Sequence, residues 1–195
     1  MARAHGLMAG WLVVTWLFPG QAAADERAVR PGIVVHLVDL AQVQSCELAV
    51  AKAEVERVFE VAGVEITWAG DPIPVPSSVA AQVGVQPHVV LFVEDAPEPA
   101  ADRTDVAGSA SRETGRARVF RNRIVAEARN HQTEPTLVLG RVMAHEIGHL
   151  LLPPNSHSMH GIMQAAIDFT PVAFHTFEPM QARAIRLLLT DPASR

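Results

Sequence analysis

Hydrophobic and polar positions run through a strand, a helix and a second strand before the pattern changes character. Ile33 to Leu40 (IVVHLVDL) is apolar and rich in β-branched residues, and it follows Pro31-Gly32. This predicts a first, mostly buried strand. From Ser45 to about Ala62, Leu48, Ala51, Val55, Val58, Phe59 and Ala62 recur at helical spacing while Glu47, Lys52, Glu56 and Glu60 take the wet side. That period predicts an amphipathic helix, with Ser45 placed to cap it and Gly63 to end it. Cys46 beside the cap reads as an inert, small core residue. Val64 to Trp68 (VEITW) predicts a second strand, and a strand-helix-strand unit favours parallel pairing.

Downstream, His88 to Val93 (HVVLFV) predicts a third strand, between proline-rich loops at 71–76 and 95–105. Val106 to Ser111 and Arg116 to Phe120 predict two more, the first carrying Gly and Ser and therefore expected at a sheet edge. The arginines between Arg112 and Arg123 are expected on a solvated strand face and turn. Residues 133–136 offer caps and Pro135, and from Leu137 to Leu152 the chain is apolar nearly all round, which predicts an interior helix. A last helix is expected from about Glu178 to Leu189. His36, His88, His131 and His175 have no metal-ligand spacing to a partner and are expected to be structural.

Composition changes this picture in three ways. The 195 residues suit one domain, expected at 31–191. A single cysteine excludes an internal disulfide framework. A formal charge of −5 argues against a nucleic-acid partner, which calls for a basic excess. The N-terminus changes it further: Arg3 and His5, the apolar run Leu7 to Phe18, and Ala22-Ala23-Ala24 have the form of a secretory signal over residues 1–24. The run falls short of the about 20 residues that span a bilayer. The expectation is cleavage after Ala24 and an exported chain with no membrane segment once the signal is removed.

Inside the buried helix sits His145-Glu146-Ile147-Gly148-His149. Histidines at i and i+4 project from one helix face, close enough for both imidazoles to bind one Zn²⁺. Glu146 points beside that position, where a base acting on water needs to be. A buried apolar helix has little reason to carry two imidazoles and a carboxylate unless they are coordinated, because each costs desolvation. Pro153-Pro154 must stop the helix. His157 and His160 lie just past the break, and either is placed to supply the third ligand that a catalytic zinc requires.

The stretch HEIGHLLLPPNSHSMHGIM resembles the active-site segment of the metzincin zinc peptidases, most closely in its local wording the matrixin-like members. The resemblance implies an α+β fold with a mixed sheet of four to five strands, an active-site helix, a Met-turn and a C-terminal helix. It implies zinc held by His145 and His149, Glu146 as general base, Met163 as the Met-turn residue, and a peptide or protein substrate. The family's glycine position is Leu152 here and its third-histidine position is Asn155. A two-residue insertion that moves the ligand to His157, with Pro153-Pro154 making the turn, reconciles the two patterns. Asn155 offers only an amide oxygen, a poorer zinc donor than imidazole, so His157 is the expected third ligand. Substrate is then expected extended along the edge strand by strand addition. A domain of this fold that binds zinc and cuts nothing is the alternative, favoured if His160 closed the shell as a fourth ligand.

Overall fold

The computed structural model describes residues 30–70, 86–97, 107–166 and 175–191. The expected signal segment, the loop at 71–76, most of the loop at 95–105, and Val106 lie outside them. In chain order the elements are β1 (Gly32–Asp39), α1 (Ser45–Val61), β2 (Glu65–Ala69), β3 (His88–Glu94), β4 (Gly108–Ser111), β5 (Arg116–Phe120), α2 (Arg121–Asn130), α3 (Pro135–Leu151) and α4 (Pro179–Thr190). The five strands form one mixed sheet in the order β2-β1-β3-β5-β4. β1 pairs in parallel with β2 and β3, and β3 with β5; β4 alone runs antiparallel, on the outer edge of β5. The α+β class, the mixed sheet and the edge position of the Gly/Ser strand are as expected from the pattern.

Period-2 alternation decides which face of the sheet is covered. Ile33 and Val35, then Val89, Leu91 and Val93, then Ala117 and Val119 form one face, and they join Val55, Val58 and Phe59 of α1 and Met143, Ile147 and Leu150 of α3 in a single core. Gly140 lets α1 and α3 approach closely. A Cβ there would lie 2.6 Å from the Ala51 carbonyl oxygen and 2.7 Å from Glu54 Cβ. No helix among the described residues is long and apolar enough to cross a membrane.

Four local expectations are corrected. Ser45 is the first helical residue rather than the cap; Gln44 precedes it without a side-chain cap bond, and Asp39 Oδ2 instead accepts from Val43 N at 2.9 Å to shape the turn. That turn also ends β1 before Leu40, which is 59% exposed. Cys46 is exposed, not core, because its position in the first turn of α1 faces away from the sheet. At α3, by contrast, the cap falls within the expected residues 133–136: Glu134 accepts from Thr136 N at 3.3 Å ahead of Pro135.

The fourth correction is a whole helix. Residues 121–130 are α2, not a continuation of a solvated strand and turn. Only Ile124 and Ala128 of α2 are buried, so no stripe marks it in the sequence. Asn122 fastens its start by a two-way bond to Ala96, accepting from Ala96 N at 2.9 Å and donating to Ala96 O at 3.1 Å.

Behind α3 the core holds a charged group that the helical pattern does not announce. Glu54 of α1 is 8% exposed and receives Arg57 Nε at 2.8 Å and Arg57 Nη2 at 2.9 Å, while Arg141 Nε of α3 stands 3.6 Å away. Burial pushes the Glu54 carboxyl upward, but the hydrogen bonds and charge of Arg57 and the charge of Arg141 outweigh it and leave the group below its ordinary value of 4.5. Removing one member of a buried ionic group leaves an uncompensated charge, which costs about 3–5 kcal/mol. Glu54→Ala should therefore lower the free energy of unfolding by about that amount, measured by denaturant titration. The sign with pH follows from the lowered pKa. The contribution is complete above 4.5, declines as the pH falls through the folded-state pKa, and is absent from the Glu54→Ala protein.

Candidate metal centre

The site begins with helix geometry. Arg141, His145 and His149 are spaced four apart along α3 and share one face, while Glu146 lies on the adjoining one. The helix can bury this side because the structure beneath it is tightly fitted. A Cβ on Gly148 would come within 2.6 Å of Met163 Sδ and 2.9 Å of the Phe177 ring. Met163, fully buried, therefore sits directly under the His145–His149 turn.

The chain leaves α3 at Leu152 in an extended conformation, and its return is made by Asn155 in the left-handed region with φ 62°. Asparagine is among the few non-glycine residues that adopt this conformation readily. Thus the residue that the resemblance puts in register with a third histidine shapes the turn, just after Pro153-Pro154, and Asn155 itself is exposed. The returning segment is held at both ends: Gln181 Nε2 of α4 donates to Ser156 O at 2.9 Å, and Ser158 N donates to Met163 O at 2.9 Å.

This places His157, not His160, in the site. One ligand nitrogen from each of His145, His149 and His157 lies within 4.8 Å of the others. His149 Nε2 is 2.9 Å from His145 Nε2 and 3.1 Å from His157 Nε2. His160 is exposed and outside the cluster, its carbonyl accepting from Ser158 Oγ at 2.7 Å.

The electrostatics suit a cation. His145 Nδ1 donates to the Ile162 carbonyl at 2.8 Å, which fixes the tautomer and leaves Nε2 as an acceptor aimed at the other two rings. Burial lowers the pKa of His145, and burial followed by the neighbouring His145 and His157 rings lowers His149 to about 4. Neutral imidazoles are the form that ligates metal, and three of them converging in a fan call for one shared positive charge. The donor set therefore fits a metal ion bound by three nitrogens.

Glu146 is the other half of the fit. Burial pushes its carboxyl up to about 8. Its Oε2 is buried with no hydrogen-bond partner, a costly state for a carboxylate unless something in the site answers it. The opposite wall is β4, so close that a Cβ on Gly108 would be 2.5 Å from Glu146 Oε1. Any larger residue at 108 would have to push the Glu146 side chain aside. A cation on the three histidines would favour the ionised form of Glu146.

All of this opens into a cleft of about 1280 Å³, with Gly108–Ser111 along one wall, α2 at one end and the segment from Pro153 to Ala166 opposite. No strand among the described residues pairs with the outer edge of β4. Gly108 and Arg141, for which no role was expected, line the cleft beside the expected residues, and so does the buried His175, expected to be structural only. Arg141 lies one turn ahead of His145 and so had a periodic signal; Gly108 and His175 reach the site only through tertiary packing. His36 and His88 lie elsewhere, joined by a 2.8 Å Nε2···Nδ1 bond within the sheet, as befits structural histidines.

No family model matches the sequence, and no curated protein matches it. Solved structures do resemble it. A zinc-dependent peptidase from Methanocorpusculum labreanum (strain Z) aligns over 77% of this chain and 99% of its own, with a TM-score of 0.52 and 18% identity. An archaemetzincin from Methanopyrus kandleri aligns over 82% of this chain and 96% of its own, with a TM-score of 0.51 and 16% identity. At these identities the likeness is one of fold.

Proposed function

We propose that the protein is an exported zinc-dependent endopeptidase of the metzincin type. The observation that carries this reading is the placement of Glu146. A buried carboxylate oxygen without a partner sits beside three converging imidazoles, at the wall of a cleft bordered by an open strand edge. A site that only stored metal would have no use for such a group. The fold shared with a zinc-dependent peptidase and an archaemetzincin supports the same reading, as does the motif HEIGH followed by a buried Met163.

His145, His149 and His157 would hold Zn²⁺ beside the cleft. Bound there, the ion would polarise a carbonyl and lower the pKa of water to about 7. Glu146 Oε2 takes the proton from the attacking water and passes it to the departing amine nitrogen. The Ile162 carbonyl keeps His145 in the ligating tautomer throughout. A peptide substrate lies extended against the edge of β4, its backbone adding to the sheet. The non-cutting alternative calls for a closed four-ligand shell, and His160 lends it nothing, being exposed and outside the cluster.

Export rests on the form of residues 1–24, and the mature chain would begin at Asp25. Zinc content of the purified full-length mature protein, together with cleavage of a random peptide library, tests the activity. One zinc per chain and metal-dependent cleavage are expected; a metal-loaded protein that cuts no peptide would instead support the binding module. Mass spectrometry of the exported fraction should find Asp25 as the first residue. An intact Met1 species there would remove the cleavage assignment, and activity confined to the cytoplasm would remove the export assignment.

A further inference from the structure

We infer that Arg57, held by Glu54, is a positioning residue for the His145 imidazole, acting at a distance through the segment His175–Phe177. This rests on the zinc reading of the three histidines. The connection is three hydrogen bonds joined by short stretches of backbone. Arg57 Nη2 donates to the His175 carbonyl at 3.2 Å. The next carbonyl, that of Thr176, accepts from Ile162 N at 2.9 Å. Ile162 O in turn accepts from His145 Nδ1 at 2.8 Å. Consecutive carbonyls of one short segment are thus claimed from two sides, one by α1 and one by the turn that orients the ligand.

The geometry leaves this segment little freedom. Gly161 has φ +79°, and a Cβ there would lie 2.4 Å from the Thr176 oxygen, so the two stretches are pressed together. Phe177 wedges beneath Gly148 and meets Phe59 of α1 edge-on, with centroids 5.0 Å apart. Those apolar contacts fix the depth of the segment. They are non-directional and do not set the rotation of its peptide planes, whereas the directional bond from Arg57 Nη2 to the His175 carbonyl does. Arg57 itself is held still by a two-point contact with Glu54, whose own position is fixed by the packing of α1 on α3 at Gly140. The arginine therefore sets the angle at which Thr176 holds Ile162, and through it the ring angle of His145.

Arg57 is partly exposed, 41% for its side chain, and Arg141 stays beside Glu54 without it, so its removal costs stability but does not dismantle the core. Partners that touch a metal-ligating histidine directly are worth about 10–100-fold in metal affinity. Arg57 acts further back, and Arg57→Ala in the full-length mature protein should weaken Zn²⁺ binding by about tenfold, at the low end of that range. The measurement is competition for Zn²⁺ with a chromophoric chelator, paired with the visible absorption of the Co²⁺-loaded protein, whose bands report ligand geometry. Glu54→Gln should move both readouts in the same direction. Val58→Ala, on the same helix but outside the hydrogen-bond run, should lose thermal stability without changing zinc affinity. Wild-type zinc affinity and an unchanged cobalt spectrum in Arg57→Ala would overturn the inference, as would a tenfold loss in Val58→Ala. A wild-type protein that binds no Zn²⁺ would overturn the metal reading itself and take this inference with it.

Discussion

Glu146→Ala should keep its zinc and lose hydrolysis by about 10²- to 10⁴-fold, the usual cost of removing a general base. The expectation follows from where the side chain goes. Glu146 leaves α3 toward Gly108, and it is not one of the three residues that gather ligand atoms within 4.8 Å. Its removal takes nothing from the coordination shell. What disappears is, among the described residues, the one carboxylate buried at that wall with an open oxygen, and with it the acceptor for the proton of the attacking water. The loss should fall on kcat, because the edge of β4 and the rest of the cleft still receive the peptide. Metal analysis and steady-state kinetics on one preparation provide the check. Loss of zinc from Glu146→Ala would make Glu146 a ligand, and undiminished turnover would remove it from the chemistry.

The parts of this molecule legible in its sequence are those whose cause is local. The helix at Ser45–Val61 shows its core face as a spacing of apolar residues, and α3 shows its burial as an apolar run with two histidines one turn apart. Strand alternation marks β1, β3 and β5 within a residue or so. The pattern is silent where partners are far apart in the chain. α2 has two buried residues and many charges, so its helical state depends on packing against α3 and on the Asn122–Ala96 clamp. Glu54 looks like one more polar residue of α1, yet it is buried because Arg141, 87 positions on by residue number, comes to lie beside it. His175 reaches the cleft through a segment tied to Arg57, which is 118 residues away. Of the site, the helix-borne trio His145, Glu146 and His149 could be read from one turn of helix. The surroundings that tune it could not.

The third ligand lies between these two cases, and it gives the sharpest test of the loop. His157→Ala should lose stoichiometric zinc, with an affinity loss exceeding the about 10–100-fold expected for removal of an outer partner. His160→Ala should stay loaded. The two histidines are three residues apart in the same turn, so a non-specific disturbance of the loop would affect both variants alike. Asn155, with φ 62°, makes the reversal that lets the chain return after two prolines, and His157 follows at the point where its Nε2 comes 3.1 Å from that of His149. Ser158 N is then bound to Met163 O, which fixes the direction of the chain and carries His160 out to solvent. The expected asymmetry therefore comes from backbone geometry on either side of His157. Zinc stoichiometry of the two purified variants, measured side by side, decides it: a loaded His157→Ala with an empty His160→Ala would mean that the segment folds the other way and that the open position of the site belongs elsewhere.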